Sequence, residues 1–216
     1  MTRLITTSTI LLSLALTTAV GAHPQRRDMT EVEELPILLD RAAVKAKLIE
    51  QRAANLERFR AYYKARVYPS NVYKPGLLNV WRDEDGHFCA AATIIRASGA
   101  TELVDRVADD NNFIRLADVE QGPLMDWILT SGFTQDEIVM IQKPFSPVTT
   151  RPVLEPKPEQ PVAIDAKLRA KETARLAAVY RGIDAKLVKA QKANLERAVD
   201  RLMAHPQLAL QLLGNA

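Results

Sequence analysis

The sequence predicts an all-α protein: a compact bundle of short helices flanked by two long amphipathic helices, with a proline-rich connector before the second one. Two observations predict this fold class. Both flanks are rich in Ala, Leu, Lys, Arg and Glu, which favour helices, and their apolar residues recur at helical spacing. The middle of the chain is divided by glycines and prolines into segments that each suit one short helix.

The chain begins with the pattern of a secretory signal peptide, residues 1–22. Arg3 precedes an uncharged, largely apolar stretch, and Val20-Gly21-Ala22 places short side chains at the cleavage positions. We expect cleavage because the apolar stretch is short for a hydrocarbon core about 30 Å thick. Residues 23–34 then form a flexible mature N-terminus, no transmembrane segment follows in the mature chain, and the expected location is periplasmic or secreted.

Residues 35–67 are predicted to form a long basic helix with Pro36 in its first turn. Between Pro36 and Arg66 the chain has eight Lys or Arg and three Asp or Glu residues. A row of apolar residues at seven-residue spacing predicts the buried stripe of this helix. The row is Leu35, Ala42, Ile49, Leu56 and Tyr63, and Leu39, Ala46 and Ala53 lie beside it.

Residues 162–216 are predicted to form a basic C-terminal helical region. Leu176, Ile183 and Ala190 share one seven-residue row, and Val188, Leu195 and Leu202 share another. The stretch Val44–Arg58 aligns without gaps to Ile183–Arg197, with Ala-Lys-Leu and Ala-Asn-Leu-Glu-Arg in common. This similarity indicates either an internal duplication or a chance match between two segments of similar helical composition.

Residues 77–143 are predicted to form an acidic helical core domain, since Arg82 to Lys143 contains five basic and twelve acidic residues. Gly86 and Gly99 bound an apolar block that suits a buried helix, and residues 134–137 fit a capping box. Other helices are expected from Thr101 and from Pro123, with helix favoured for residues 113–119. Residues 144–161 contain repeated prolines and form the predicted linker, which brings the last helices back to the core.

The stretch DEDGHFC, residues 83–89, concentrates polar groups just before the apolar block. As a calcium loop, Asp83 and Asp85 would be ligands, but too few further carboxylates follow at the required spacing. The favoured interpretation is that Asp83, Glu84 and Asp85 cap the buried helix, where the helix dipole favours carboxylates. Cys89 is the sole cysteine, which excludes an intramolecular disulfide, and we expect it to be a small buried side chain.

His87 and Asp126 are the candidate catalytic residues, because the sequence has few histidines and Asp126 lies in an apolar helix beside Trp127. A desolvated carboxyl with a raised pKa is one way to make a general acid. The favoured interpretation is that Asp126 faces water and Trp127 enters the core. Asp83, Asp85 and Trp127 are the candidate binding residues, and no metal site, cofactor or glycine-rich phosphate loop is expected.

The sequence therefore favours a non-catalytic structural or interaction module of the cell envelope, which binds a protein or an anionic polymer through its long helices. Two alternatives remain. One is a hydrolase that uses acidic residues, with a site around Asp85, His87 and Asp126, and the other is a helical periplasmic chaperone. A homo-oligomer is compatible with these helices, whereas nucleic acid is not an expected partner outside the cytoplasm.

Overall fold

The computed structural model describes residues 39–153 and 162–214, which belong to one compact unit. This part of the chain is built from helices, with isolated β-bridges and no strand, so the predicted all-α fold is confirmed. The predicted signal peptide and flexible N-terminus lie outside the described residues. The helices are α1 (Arg41–Ala65), α2 (Ala90–Ala97), α3 (Thr101–Asn111), the 3-10 turn η1 (Leu116–Asp118), α4 (Pro123–Thr130), α5 (Gln135–Ile141), α6 (Ala166–Lys189), α7 (Gln191–Met203) and α8 (Pro206–Gly214).

Helix α1 is the first long basic helix. It begins after Asp40, whose carboxylate accepts hydrogen bonds from the amides of Ala42 and Ala43, and it ends at Arg66, whose φ is +57°. The predicted residues before Leu39, with Pro36 among them, lie outside the described part of the chain. None of the described helices is long and apolar enough to cross a membrane.

The predicted buried stripe of α1 is confirmed only in part. Leu56 is buried and Leu39 and Tyr63 pack against the core, but Ile49 is 45% exposed and the alanines of the predicted rows face solvent. The buried face is rotated from the predicted stripe because two polar residues, Arg52 and Asn55, enter the core with the larger apolar side chains. The buried residues are Val44, Leu48, Arg52, Asn55, Leu56, Phe59 and Tyr62.

The C-terminal region consists of three helices. Its long helix α6 ends at Ala190, which is also the residue before α7, and Pro206 begins α8. Within the predicted rows, Leu176, Ile183, Leu195 and Leu202 are buried, as the spacing predicts, but Val188 is exposed. The heptad spacing predicts a buried Val188 only if the helix is continuous, and the break at Ala190 ends that continuity.

Helix α2 is the buried centre of the fold and packs between α1 and α3. It begins at Ala90, three residues later than the glycine boundary predicts, and Gly99 follows its end with φ +100°. Cys89 is buried, as predicted, and this burial raises the pKa of its thiol to about 12 despite hydrogen bonds from nearby backbone amides. The buried side of the helix consists of Ala90, Ala91, Ala92, Ile94 and Ile95, whereas Arg96 and Ala97 are exposed.

The short helices follow most of the local sequence signals. The capping box is present, since Glu137 N donates to Thr134 Oγ1 at 3.3 Å and Thr134 N donates to Glu137 Oε2 at 2.9 Å. Pro123 occupies the first turn of α4. The α-helix predicted for residues 113–119 is wrong, because this segment contains only the 3-10 turn η1. The segment has no apolar face long enough for a helix to pack on the core.

The connector is held along the core over its described part, residues 144–153. Phe145 and Leu78 exchange two backbone hydrogen bonds of 2.8 and 3.1 Å, and Phe145 and Val148 are fully buried. Asp165 N donates to the carbonyl of Val148 at 2.8 Å just before α6 begins. The connector thus returns the chain to the core, where α6 packs on α1 and α5; residues 154–161 lie outside the described part.

Candidate functional site

Asp83 organises the polar turn before α2. Its carboxylate accepts hydrogen bonds from the backbone amides of Ser70 at 2.9 Å, Asp85 at 3.1 Å and His87 at 2.8 Å. The predicted cap of α2 by Asp83, Glu84 and Asp85 is wrong. The chain is still extended at Phe88, which bridges to Arg82, so the helix starts too late for these carboxylates to reach it. The cap is instead Cys89, whose Sγ accepts from Ala92 N at 3.4 Å.

His87 is oriented by the same carboxylate. Its Nδ1 lies 3.2 Å from Asp83 Oδ2, and its side chain is 39% exposed while that of Asp83 is 1% exposed. A buried carboxylate that holds one ring nitrogen leaves the other nitrogen, Nε2, for an external partner. The pair therefore has the geometry in which a buried carboxylate supports a functional histidine, although no serine or cysteine accompanies it among the described residues that line the adjoining groove.

Asp83, Asp85 and His87 place one possible metal ligand each within 4.8 Å of one another. The fit to a metal ion is poor, because three backbone amides already occupy the oxygens of Asp83. Asp85 and His87 alone provide too few ligands for zinc or calcium. The hydrogen bonds of Asp83 therefore account for the conformation of the turn, and they argue against a metal centre.

Asp126 does not join this cluster. It is exposed on α4, and it shares no metal-ligand group with Asp85 and His87 among the described residues. Trp127 is half-buried, and its Nε1 donates to Ser98 Oγ at 2.8 Å, which fastens α4 to the end of α2. The two residues singled out in this helix are thus a solvated carboxylate and a packing contact.

A groove lies beside His87 between α1 and α2, and we name it the His87 groove. Its volume is about 410 Å³, and its walls are mostly apolar. Arg58 is fixed at its edge by a 2.7 Å hydrogen bond from NH1 to Asn55 Oδ1, and Arg96 lies over the Phe88 ring at 4.9 Å. The lining residues are Arg58, Ala61, Tyr62, Ala65, Val67, His87, Phe88, Thr93 and Ala97.

A second groove, which we name the acidic groove, has a volume of about 460 Å³ and lies between α3, η1 and the start of α4. Three acidic residues and Arg106 line its edge, which makes the edge negatively charged; one of the three, Asp118, also lies 3.6 Å from Arg115 Nε. The sequence did not predict this groove. The excess of acidic residues in the middle of the chain was the feature that could have indicated it. The apolar lining is Leu103, Val107, Ile114, Val119, Pro123 and Leu124; the acidic residues are Asp110, Asp118 and Glu120.

The basic helices leave the acidic surface of the middle region unneutralised. Among the described residues, the only ion pair between the two is that of Arg52 and Glu137, and it is buried. The other interhelical ion pairs of the basic helices join those helices to one another. They link Arg41 to Glu196 and Asp200, Lys45 to Glu196, and Arg60 to Asp184.

Arg52, Glu137 and Asn194 form a buried polar cluster, which we name the polar hub. Arg52 is 2% exposed; it donates to both carboxylate oxygens of Glu137 at 2.7 and 2.8 Å and to the carbonyls of Gly132 and Leu187 at 3.0 Å. Asn194 Nδ2 donates to Glu137 Oε1 at 2.7 Å. Because solvent does not reach these side chains, the hub joins α1, α5 and α7 and has no room for a ligand.

Comparisons with known proteins give no match: no family model, curated protein or solved structure is similar to this chain. Function must therefore be argued from the two grooves and from the charges around them.

Proposed function

We propose that this protein is a non-catalytic interaction module whose acidic groove binds a segment of another protein that carries apolar side chains between lysines or arginines. The observation that carries this proposal is the combination of an apolar floor with a negatively charged edge. An apolar floor provides binding energy of about 25 cal/mol for each Å² removed from water. The acidic edge selects against acidic partners and speeds the approach of basic ones.

The charge distribution supports the acidic groove over the long helices as the binding surface. Arg41, Lys45 and Arg60 are cations of α1, but acidic residues of α6 and α7 already pair with them. Asp110, Asp118 and Glu120 stay exposed at the groove, and their region receives no ion pair from the basic helices among the described residues. A groove of about 460 Å³ suits two or three side chains of a partner rather than a whole helix.

The proposal also includes export, since the first 22 residues have the pattern of a signal peptide. Expression with fractionation, followed by mass determination of the mature chain, tests this part. We expect an exported product that begins near His23. An unprocessed chain that stays in the cytoplasm contradicts the proposed location without affecting the groove.

The groove itself is tested with two short peptides of matched length, one alternating Lys and Leu and the other alternating Glu and Leu. Fluorescence anisotropy at low salt should show saturable binding of the Lys peptide alone. This binding should weaken as salt rises, because exposed charges are screened within about 10 Å at 0.1 M.

A charge-reversed variant locates the binding site. Asp118→Lys combined with Glu120→Lys should weaken binding of the Lys peptide at least tenfold, whereas Asp136→Lys, an exposed acid of α5, should change it less than twofold. Equal weakening in both variants indicates general attraction to an acidic surface and contradicts the groove. Binding of the Glu peptide with similar strength contradicts the proposed partner chemistry.

A further inference from the structure

We propose that the His87 groove is a second binding site, which takes a free carboxylic acid with a medium-length alkyl chain. This site is independent of the acidic groove and of any protein partner. Its walls belong to the second half of α1 and to α2 with the turn before it, whereas the acidic groove is built from α3, η1 and α4.

The floor of the groove suits an alkyl chain. Ala61, Ala65 and Ala97 leave space between the two helices because their side chains are small, and Phe88 and Val67 provide apolar walls. Val67 is 51% exposed, so apolar surface stays in contact with water at this position. A volume of about 410 Å³ lies within the range of small-ligand clefts, which is about 300 to 1,000 Å³.

The edge of the groove suits a carboxylate. Its basic lining residues are Arg58 and His87, and no Asp or Glu lines it. Arg58 uses NH1 to hold Asn55, and its other N–H groups have no protein partner among the described residues. A guanidinium forms short, paired hydrogen bonds with a carboxylate, and this geometry separates an acid from an alcohol of equal length.

His87 and Arg96 add to this selection. Asp83 holds His87 Nδ1, which leaves Nε2 for the ligand. Arg96, stacked on Phe88, adds positive charge beside the groove. Asp85 lies next to His87 in the turn but does not line the groove. Opposite edge charges therefore distinguish the two grooves of the molecule.

The test is isothermal titration of the mature chain with decanoate below its micelle concentration, with decanol and butyrate for comparison. We expect one saturable site for decanoate and at least tenfold weaker binding of decanol. Butyrate should bind far more weakly still, because each buried methylene contributes about 0.8 kcal/mol. Equal affinity for decanoate and decanol overturns the carboxylate assignment, and equal affinity for decanoate and butyrate overturns the alkyl floor.

Two substitutions locate the site. Arg58→Gln should weaken decanoate at least tenfold, and its matched control is Arg197→Gln, because Arg197 makes the equivalent bond to Asn194 but lines neither groove. Ala61→Trp fills the groove at an exposed position of α1 and should abolish binding with Arg58 still present. Thermal unfolding identifies any variant that fails to fold. Unchanged decanoate affinity in folded Ala61→Trp or in Arg58→Gln overturns the proposal.

Discussion

The two stretches of similar sequence, which we call the two copies without implying a duplication, bury the same positions except at Arg52, but they build different helices. Val44–Arg58 lies within the continuous helix α1, whereas Ile183–Arg197 spans the break between α6 and α7. In both copies the Arg at the end of the repeat donates to the Oδ1 atom of a buried Asn three residues earlier, at 2.7 and 2.6 Å. The buried, aligned pairs are Val44 and Ile183, Leu48 and Leu187, Asn55 and Asn194, and Leu56 and Leu195.

The difference lies at Arg52, which is aligned with the exposed Gln191. In an unbroken helix, the carbonyl of Leu187 would accept a hydrogen bond from the amide four residues later. At the break it accepts from Arg52 NH2 at 3.0 Å instead. Arg52 of the first copy therefore supplies the hydrogen-bond donor that the carbonyl of Leu187 in the second copy lacks. The shared residues set which faces are buried, and Arg52, which differs from the aligned Gln191, binds the first copy to the break in the second.

The largest expected effect follows loss of Arg52. Arg52→Ala leaves Glu137 buried without its cation, and loss of one partner from such a pair costs about 3 to 5 kcal/mol. Gln191→Ala, at the aligned exposed position, should change the free energy of unfolding by less than about 0.5 kcal/mol. Urea denaturation of both variants measures the difference. If the two variants lost similar free energies of unfolding, Arg52 would not be the residue that distinguishes the two copies.

The next effect distinguishes the two buried asparagines. Asn194 donates to the charged carboxylate of Glu137, whereas Asn55 donates to the neutral carbonyl of Ser131 at 2.9 Å. Each substitution by Ala should destabilise the fold by about 1 to 3 kcal/mol, with Asn194→Ala the larger because a hydrogen bond to a charged group is stronger. Urea midpoints at neutral pH check the order, and a larger loss for Asn55→Ala contradicts it.

A smaller effect is expected from acid. Burial by itself raises the pKa of Glu137, but hydrogen bonds from Arg52, Asn194 and the Thr134 amide outweigh it and hold that pKa below its ordinary value of 4.5. The carboxylate therefore stabilises the fold above the unfolded-state pKa, and this stabilisation is lost as the pH falls through the lower folded-state value. The loss is smaller than that of Arg52→Ala because a protonated carboxyl keeps some of its hydrogen bonds.

Glu137→Gln isolates this contribution, since hydrogen bonds from Arg175 and Ser146 also lower the pKa of Glu172 despite its burial. Denaturation between pH 6 and pH 3 should show a shallower pH dependence in the variant than in the natural chain. Identical slopes would assign the acid sensitivity to other carboxyls.

The smallest effect is expected where the copies are most alike. Arg58→Gln and Arg197→Gln each remove the hydrogen bond that the arginine donates to a buried Asn, and each should lower stability by about 0.5 to 1.5 kcal/mol. Melting temperatures of the two variants should therefore agree closely. A marked loss in one alone would show that the matching bonds differ in their contribution to the fold.

The sequence predicted features whose causes are local. The capping box at Thr134 and Glu137 depends on residues three positions apart, and the burial of Leu195 and Leu202 follows from helical spacing. The buried face of α1 was not predictable in this way, because Arg52 enters the core only through Glu137, which lies 85 positions away. Because arginine is mostly exposed in proteins, a buried arginine is predicted to be a surface residue unless its partner is known.

The sites were less predictable than the helices. The polar residues of the turn at Asp83 are adjacent in the sequence. The amide of Ser70, which helps to fix Asp83, lies thirteen positions earlier. The grooves combine side chains from separate elements, so no single stretch of sequence displays them. Gly132 also reads as a simple helix end, yet a β-carbon there would lie 2.3 Å from the carbonyl oxygen of Leu48.

The buried thiol of Cys89 gives the molecule an internal reporter. A thiolate is the reactive form, and both the raised pKa and the apolar surroundings suppress it while α2 stays in place. Alkylating reagents should therefore modify this chain only during transient opening of its centre. Because no other cysteine competes, the rate of that modification measures how often the core opens under native conditions.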